Sequence, residues 1–374
     1  MVRDFDVIVV GAGPAGCGAA YDLASAGRKT LLLDKAVFPR IKPCAGALTI
    51  KAVRALPFDV SPIVRRSCAA MKLSLGESSR TLGNGESVAV MTVRQEFDEY
   101  FVRQCVGRGV TFCCGHRLIA LARNDFGWDV QTTAGTFRGK FLIGADGANS
   151  QVRKLLSPKN PLRFGVALET CIPTNRAGDY EMEFDFRPID HGYAWIFPKH
   201  DHLNVGLYTL NPTLPQAREK LERFVLQKTG RRITGPIHGH KIPFNGRAFQ
   251  QRWDDACLVG DAAGMIDPFL GEGIYNALRG GQLAAEAILR AGLAGRADFS
   301  AAIGEINRDL ASYDSETRRF YSNIQRGYRR LVRWPLGQLL VKGFAAGWPV
   351  SRIKRNLLIL PLSKKAFLPQ MEIR

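Results

Sequence analysis

The sequence predicts an α/β fold: a domain built on a parallel sheet, an inserted antiparallel β-sheet domain and a helical C-terminal region. Three observations support this fold class. The chain opens with a strand, a glycine turn, a helix and a second strand; residues 180–187 alternate between apolar and polar side chains; and apolar residues recur at helical spacing after residue 301. The 374 residues are enough to bury a large core in more than one domain or subdomain.

The first element is a strand over residues 6–10 that runs directly into a glycine turn and a helix over residues 14–25. The glycines of this turn are Gly11, Gly13 and Gly16. In order, they permit a tight turn, a close approach of the backbone to a pyrophosphate, and packing of the helix on the strand. A second strand, residues 30–33, ends at Asp34, whose carboxylate is suited to accept hydrogen bonds from ribose hydroxyls. These spacings predict a Rossmann-like dinucleotide site.

Later segments divide the chain into domains. The run at 141–143 enters an Asp-Gly turn in the same way as the first strand enters its glycine turn, and so does the run at 256–259 before Gly260. Period-two runs between them favour an antiparallel sheet. The expected boundaries are 1–70, 94–160 and 248–300 for the dinucleotide-binding domain, 71–93 and 161–247 for the inserted substrate-binding sheet, and 301–374 for a basic amphipathic helical region.

The inserted sheet carries many aromatic residues. One expected strand face contains Tyr180, Met182, Phe184 and Phe186, and the next contains Tyr193, Trp195 and Phe197. Such faces are common in ordinary cores, but they are also suited to line an apolar channel. Residues 213–216 have the pattern of a capping box ahead of a helix at 217–228.

The cysteines and hydropathy indicate the cellular setting. The eight cysteines show neither CxxC pairs nor the spacing of a disulfide scaffold, so we expect reduced thiols and a cytoplasmic protein. The first strand begins close to Met1, which predicts that no signal peptide precedes it. No apolar run reaches the length of about 18 residues that is typical of a membrane-spanning helix.

The net charge of +18 is concentrated at the C-terminal end, where residues 318–374 hold 13 Lys and Arg against one Glu. No nucleic-acid-binding motif accompanies these charges, so we expect no nucleic acid partner. Basic residues there alternate with Leu, Val, Trp and Phe, as in helices that lie on anionic lipid surfaces. We therefore expect peripheral contact with the inner face of a membrane; a solvated helical cap is the alternative.

Three separated glycine- and aspartate-containing motifs occur in a fixed order along the chain. They are Gly11-x-Gly13-x-x-Gly16, then Asp146-Gly147, then Gly260-Asp261 with the continuation to Pro268, Gly271 and Gly273. This order resembles that of FAD-dependent oxidoreductases of the aromatic-hydroxylase type. Within that group the chain is most similar to the geranylgeranyl reductase family. The added signatures are Phe38-Pro-Arg40-x-Lys42-Pro-Cys44-x-Gly46-x-Leu48, Arg94-x-x-Phe97-Asp98 and Tyr193-x-Trp195-x-Phe197-Pro198.

The resemblance implies roles for individual residues. The implied FAD-binding residues are Gly11, Gly13, Pro14, Ala15, Gly16, Asp34, Lys35, Cys44, Ala45, Gly46, Arg94, Asp146, Gly147, Gly260, Asp261, Gly271, Gly273 and Ile274. Asp261 would bind a ribityl hydroxyl, Asp146 and Gly147 would lie near the pyrophosphate, and Arg94 would neutralise phosphate charge. The implied substrate contacts are Tyr180, Phe184, Tyr193, Trp195, Phe197 and Pro198.

Cys44 is the implied catalytic residue, positioned near the flavin ring to orient substrate or handle a proton; a small buried thiol is the alternative interpretation. The departures from the family pattern are Ala45 and Ala47 in place of glycine and Asp34 in place of glutamate. The pairs His200-x-His202 and His238-x-His240 lack the accompanying ligands of a metal site, so we expect them to be solvent-facing or hydrogen-bonded.

The resemblance implies an FAD-dependent reductase of isoprenoid double bonds. Two other functions use the same features: an FAD monooxygenase of an aromatic or lipid substrate, and a flavin-containing lipid-binding protein without turnover. The sequence has no second GxGxxG unit, so we expect the reductant to be transiently bound NAD(P)H or a protein electron donor.

Overall fold

The computed structural model describes residues 3–83, 85–157, 162–244, 253–292 and 296–311. These residues form three β-sheets and seven α-helices. The strands are β1 (Arg3–Val10), β2 (Thr30–Leu33), β3 (Ala47–Thr49), β4 (Arg66–Cys68), β5 (Ala70–Leu75), β6 (Ser78–Gly83), β7 (Ala89–Met91), β8 (Thr111–Cys113), β9 (Leu118–Asn124), β10 (Gly127–Thr132), β11 (Gly135–Gly144), β12 (Arg163–Pro173), β13 (Met182–Asp185), β14 (Gly192–Pro198), β15 (His202–Thr209), β16 (His238–Phe244) and β17 (Ala256–Leu258). The helices are α1 (Pro14–Ser25), α2 (Ile50–Ala55), α3 (Arg94–Gly107), α4 (Gln151–Leu156), α5 (Ala217–Thr229), α6 (Ile274–Ala291) and α7 (Phe299–Ala311).

The first sheet has the strand order β8-β2-β1-β11-β10-β9, with β17 beside the carboxyl end of β11. Strands β8, β2, β1, β11 and β17 are parallel, whereas β9 and β10 continue the sheet in antiparallel fashion. The residues of β1 from Val7 to Val9 are fully buried, since a parallel strand with both faces covered must be apolar throughout. The carboxyl ends of β1, β2, β11 and β17 meet at one edge, where the predicted motifs begin.

Helices α1 and α6 pack closely beside this edge because small residues line their contact. A Cβ added to Gly18 would lie 2.8 Å from Leu278, and one added to Gly281 would overlap the carbonyl oxygen of Ala15. A Cβ at Gly260 would lie 2.9 Å from the Cβ of Ala15 and 3.2 Å from that of Ala277. The turn after β17 therefore lies between the first turns of the two helices.

The second sheet has the order β16-β12-β15-β14-β13-β5-β6. The expectation of an antiparallel sheet is correct for every pair except β5 and β13, which run parallel. The chain passes through α3 and much of the first sheet between these two strands, so no hairpin imposes the antiparallel direction on them. Strand β7, expected within the inserted region, pairs instead with β3 and β4 in a small third sheet.

The two faces of the second sheet are buried in different cores. The face that carries Tyr193, Trp195 and Phe197 belongs to the large core shared with the first sheet. The opposite face, with Ile196 and its neighbours, is covered by α5.

Two local predictions were wrong. Tyr180 packs with the core under α5 rather than with the aromatic face, because it follows a 3-10 turn (Ala177–Asp179) and β13 begins only at Met182. The capping box at 213–216 does not form: Gln216 precedes α5 in a left-handed conformation, and no side chain caps the helix.

The C-terminal region is described only to Ala311, the last residue of α7, so the predictions for residues 312–374 lie outside the described residues. In the part that is described, none of the helices combines the length and the apolar character needed to cross a bilayer.

Candidate active site

The glycine turn between β1 and α1 has one open position. Gly11 has a φ of +107°, and a Cβ there would overlap the carbonyl oxygen of Ala145. A Cβ at Gly16 would overlap the carbonyl oxygen of Gly11. At Gly13 an added Cβ would meet only Nη2 of Arg40, at 3.8 Å, and no side chain caps the helix that starts there. The turn thus presents free backbone at the N-terminus of α1, as a phosphate-binding turn does.

Asp34 lies at the carboxyl end of β2 and faces this turn. Its Oδ2 accepts a hydrogen bond from the backbone N–H of Ala12 and its Oδ1 accepts one from Ala36, both at 2.8 Å. Each carboxylate oxygen can accept a second hydrogen bond, so the predicted contact with ribose hydroxyls stays open to Asp34. The neighbouring Lys35 is exposed.

Arg40 lies above the open position of the turn. Its Nη1 is 3.0 Å from Oδ2 of Asp98 and its Nε is 3.8 Å from Asp34, while its guanidinium stacks 4.9 Å from the ring centre of Phe38. Only 14% of the side chain is exposed. We did not expect Arg40 to bind the cofactor, although it stands in the Phe38-Pro-Arg40 signature. The feature of the sequence that could have indicated such a contact is a basic residue in the loop after Asp34.

Arg94 is buried at the start of α3. Its Nε and Nη2 donate to the two carboxylate oxygens of Asp98, each at 3.0 Å. Burial by itself would lower the pKa of Arg94, but the charge of Asp98 and the electrostatic interaction with Cys44 outweigh it, so the pKa is raised. The guanidinium therefore lies near the loop of Cys44, and its predicted role toward phosphate stays a prediction.

The Asp146-Gly147 turn uses its carboxylate locally. Asp146 accepts hydrogen bonds from the backbone N–H groups of Gln151 and Val152, at 2.6 and 3.1 Å, and so caps α4. Burial raises the pKa of Asp146. Gly147 has a φ of +81°, and a Cβ there would meet nothing within 4 Å. At this turn the backbone of Gly147, rather than the carboxylate, is free to approach a phosphate.

Arg153 joins the second and third motifs. Its Nη1 donates to the carbonyl of Ala262 at 2.9 Å, and its Nη2 donates to the carbonyl of Ala148 at 3.1 Å. The side chain is buried. No sequence motif pointed to this residue, because two distant turns become neighbours only through the sheet.

Asp261 lies in the turn after β17, near the basic side chain of Lys42. Its Oδ2 is 3.8 Å from Nζ of Lys42, and 18% of its side chain is exposed.

His240 lies on β16, an edge strand of the second sheet, and interacts electrostatically with Lys42, Asp261 and Arg94. Burial first, and then the charge of Lys42, lower the pKa of His240 to about 4, so the imidazole is neutral at pH 7. Its Nε2 is buried and finds no hydrogen-bond partner among the described residues, contrary to the expectation of a solvent-facing or bonded ring.

The loop from Asp267 to Gly273 precedes α6. The Oδ1 of Asp267 accepts from the backbone N–H groups of Phe269 and Leu270, and burial raises the pKa of this carboxyl to about 6. Gly271 adopts a φ of +63°, and in the first turn of α6 the N–H of Tyr275 donates to Oε1 of Glu272 at 2.8 Å. The structure thus presents this helix N-terminus where the motif predicts it.

The loop that carries Cys44 is fastened from the second sheet. The backbone N–H of Cys44 donates to Oε1 of Glu169 at 2.7 Å, and Nζ of Lys199 donates to the carbonyl of Ala45 at 2.6 Å. The backbone N–H of Gly46 lies 3.4 Å from Sγ of Cys44. Burial raises the pKa of Glu169 and lowers the pKa of Lys199 to about 8. The half-buried thiol therefore lies between the two sheets.

The predicted substrate strand forms a wall of packed rings. Phe184 lies 5.2 Å from Tyr193 and 5.3 Å from Phe197, measured between ring centres. The Nε1 of Trp195 donates to Asn204 at 2.7 Å, which satisfies its polar atom. The buried members of this aromatic wall are Phe184, Phe186, Tyr193, Trp195, Phe197 and Tyr208. Pro198 ends the strand beside it.

The residues present fit FAD. The open backbone at Gly13 and Gly147 provides room for a pyrophosphate, and the unpartnered Nε2 of His240 provides a polar contact near Asp261. In the described ranges, no group of His, Cys, Asp or Glu side chains is arranged to hold a metal ion.

The comparison with protein families agrees with this site. Residues 6–46 match the family model described as FAD dependent oxidoreductase. An uncharacterized protein of Methanosarcina barkeri is 35% identical over 77% of this chain and 75% of its own length. The geranylgeranyl diphosphate reductase of Rhodobacter capsulatus is 31% identical (76% and 75%), and the digeranylgeranylglycerophospholipid reductase of Methanocaldococcus jannaschii is 30% identical (77% of each).

Two solved structures share the fold. A geranylgeranyl bacteriochlorophyll reductase-like protein of Thermoplasma acidophilum superposes with a TM-score of 0.70 at 22% identity, over 91% of this chain and 88% of that one. A probable FAD-dependent monooxygenase of Pseudomonas aeruginosa gives 0.66 at 18% identity, over 87% and 96%.

The match to the family model and the fold shared with the solved structures define the class of this protein as an FAD-dependent oxidoreductase. Within that class, the chain belongs to the geranylgeranyl reductase family.

Proposed function

We propose that this protein reduces carbon–carbon double bonds in an isoprenoid or an isoprenoid-bearing lipid. The observation that carries this proposal is the direct link between the aromatic wall and the loop before α6. The hydroxyl of Tyr193 donates to the carbonyl of Leu270, and the hydroxyl of Tyr208 donates to that of Pro268 at 2.8 Å. An apolar wall beside the cofactor loop suits a hydrocarbon chain. The names of the two reductase relatives support the same substrate class.

The chain's own residues bind, orient and handle the proton in this proposal. When bound, FAD supplies the hydride that one alkene carbon receives. The N-terminus of α6 begins at Ile274, where Glu272 accepts from the N–H of Tyr275, and the positive end of the helix dipole there favours negative charge on a bound cofactor. The thiol of Cys44 holds the proton that the second alkene carbon receives. The aromatic wall keeps water from the alkene.

Product mass after a single anaerobic turnover tests the proposal. FAD-loaded protein is reduced with dithionite and mixed with geranylgeranyl diphosphate or a geranylgeranylated glycerolipid. We expect reoxidation of the flavin by the prenyl compound and a product heavier by two hydrogen atoms for each reduced bond. Unchanged substrate with all compounds, together with rapid flavin oxidation when oxygen is admitted, would contradict the proposal.

A monooxygenase is the second candidate. The fold similarity to a probable FAD-dependent monooxygenase favours it, because the same fold carries both reactions. The same experiment in air separates the two: hydroxylation adds the mass of one oxygen atom, and the label of ¹⁸O₂ would appear in the product.

We propose transiently bound NAD(P)H or a protein electron donor as the reductant. The support is the presence of one GxGxxG unit in the sequence. Anaerobic stopped-flow reduction with NADPH and with NADH tests the first option. Failure of both nucleotides, with normal reduction by dithionite, would favour the protein donor.

We also propose, from the sequence alone, that the basic C-terminal region contacts anionic membranes. Residues 318–374 carry a net charge of +12, and each basic residue near an anionic surface contributes about 1 kcal/mol. The test compares the full chain with one cut before Arg318 in flotation with phosphatidylglycerol or phosphatidylcholine vesicles. Equal binding of both chains to the anionic vesicles would contradict this proposal.

A further inference from the structure

Lys199 is a buried lysine that has no role in the proposed reaction as described above. It follows the aromatic strand β14, and only 3% of the residue is exposed. Its Nζ donates to the carbonyl of Ala45 at 2.6 Å and lies 3.6 Å from Sδ of Met91. Among the described residues no carboxylate lies within ion-pair distance of it. A buried ammonium with one oxygen acceptor is costly, so an ordinary structural ion pair does not account for this lysine.

Three cysteine thiols and one carboxyl group interact electrostatically with Lys199. In order of their effect on the lysine they are Cys44, Cys68, Cys171 and Glu169. Burial is the largest influence and lowers the pKa of Lys199 to about 8, while these groups oppose the shift. The ammonium is therefore charged at pH 7, and Cys44 is the acidic group with the strongest effect on it.

Two donors hold the environment of Cys44, and a buried guanidinium lies nearby. The backbone N–H of Gly46 lies 3.4 Å from the sulfur, Lys199 holds the next carbonyl, that of Ala45, and Arg94 interacts electrostatically with Cys44. Positive charge and N–H donors beside a cysteine favour its thiolate form. Cys68 is buried, whereas Cys44 is half-buried.

We propose that Lys199 is a positioning residue: its ammonium fixes the Cys44 loop through Ala45 and stabilises the thiolate left when Cys44 gives up its proton. This inference rests on the proposed reductase. The S–H bond of Cys44 breaks as a C–H bond forms at the second alkene carbon, and the hydride supplied with reduced FAD forms the C–H bond at the first. Water then returns a proton to the thiolate, while the ammonium of Lys199 stays charged.

The test measures alkylation of Cys44 in oxidised, FAD-loaded protein without prenyl substrate, so it does not depend on the proposed reaction. Iodoacetamide labelling of the Cys44 peptide is followed by mass spectrometry from pH 6 to 10, and the peptide of exposed Cys114 serves as the internal reference. Lys199→Gln keeps an N–H donor for Ala45 without the charge, Lys199→Met removes both, and Lys199→Arg keeps the charge. Lys241→Met, at an exposed lysine of the same sheet, is the matched control.

We expect the labelling curve of Cys44 to move upward by about one pH unit in the Gln and Met variants, which is about a tenfold lower rate near neutral pH. The Arg variant should restore it, and the control should match the wild type. A Gln variant with a wild-type curve would overturn the role of the charge. Absence of Cys44 labelling in wild-type protein would also overturn the proposal, because a thiol that a substrate carbon approaches must admit a small reagent. If the Met variant fails to fold, the comparison of Gln with Arg decides.

Discussion

Nη1 of Arg40 lies 3.0 Å from the carboxylate of Asp98, which also receives two hydrogen bonds from Arg94. One buried carboxylate thus holds two guanidinium groups, one above the glycine turn and one beside Cys44. Two buried guanidinium groups repel each other, so they can lie this close only when a shared carboxylate and hydrogen bonds offset the repulsion. Asp98 is therefore the structural link between the expected pyrophosphate position and the expected catalytic loop.

We predict that Arg40→Ala weakens FAD binding by about 1.5–3 kcal/mol, the typical contribution of a charged hydrogen bond. Lys in its place should restore part of the affinity, because it keeps the charge without the fork of donors. Flavin fluorescence titration of apo-protein measures the effect, with Arg103→Ala at a 72% exposed arginine as the control. Equal affinities of wild type and Arg40→Ala would show that Arg40 does not contact the cofactor.

We predict that Gly13→Ala impairs FAD binding without impairing the fold. The added methyl group would meet only Arg40 at 3.8 Å within the protein, yet it would occupy the space expected for the pyrophosphate. We expect at least about tenfold weaker binding with an apo-protein Tm close to that of the wild type. Gly178→Ala is the control, since a Cβ there meets nothing within 4 Å. Loss of the fold in Gly13→Ala would contradict this account.

We predict that the unpartnered Nε2 of His240 contacts the bound cofactor. His240→Leu removes the polar atom and should weaken FAD binding by about 1 kcal/mol, roughly fivefold, whereas Gln should retain part of the contact. The control is His200→Gln, because His200 is exposed. The pKa of about 4 keeps the ring neutral, so the effect should be constant from pH 6 to 8. A large change across that range would contradict the assignment.

We predict that Lys199→Met raises the free energy of unfolding at pH 7 by about 1–2 kcal/mol. The pKa is lowered from its ordinary value of 10.5 to about 8, and one pKa unit corresponds to about 1.4 kcal/mol of penalty for the buried charge; the lost hydrogen bond offsets part of the gain. Between pH 8 and 10.5 the unfolded chain binds more protons, so wild-type stability should rise relative to the variant as pH increases. Urea unfolding with excess FAD measures both. A less stable variant at pH 7 would show that the lysine is mainly structural.

Local patterns were sufficient for the fold class and for the order of the motifs. The glycine turn, Asp34 and the Gly260-Asp261 turn lie at one sheet edge, as the strand–turn–helix pattern indicates, because parallel strands place their carboxyl ends together. The same patterns failed where a neighbouring turn interrupts them. Tyr180 continues the alternation of β13 in sequence, but a 3-10 turn removes it from the strand.

The sequence by itself determined the strand–turn–helix order of the dinucleotide-binding site, since spacing within short segments specifies turns and helix starts, and its resemblance to the geranylgeranyl reductase family indicated the class of protein. Only the tertiary structure decided which charged groups meet. Tertiary contacts bring together three sets of groups: Arg40 with Asp98, Glu169 and Lys199 with the Cys44 loop, and His240 with Asp261. The members of each set are far apart along the chain, and the burial that changes the pKa values of Glu169, Lys199 and His240 exists only after the sheets have packed.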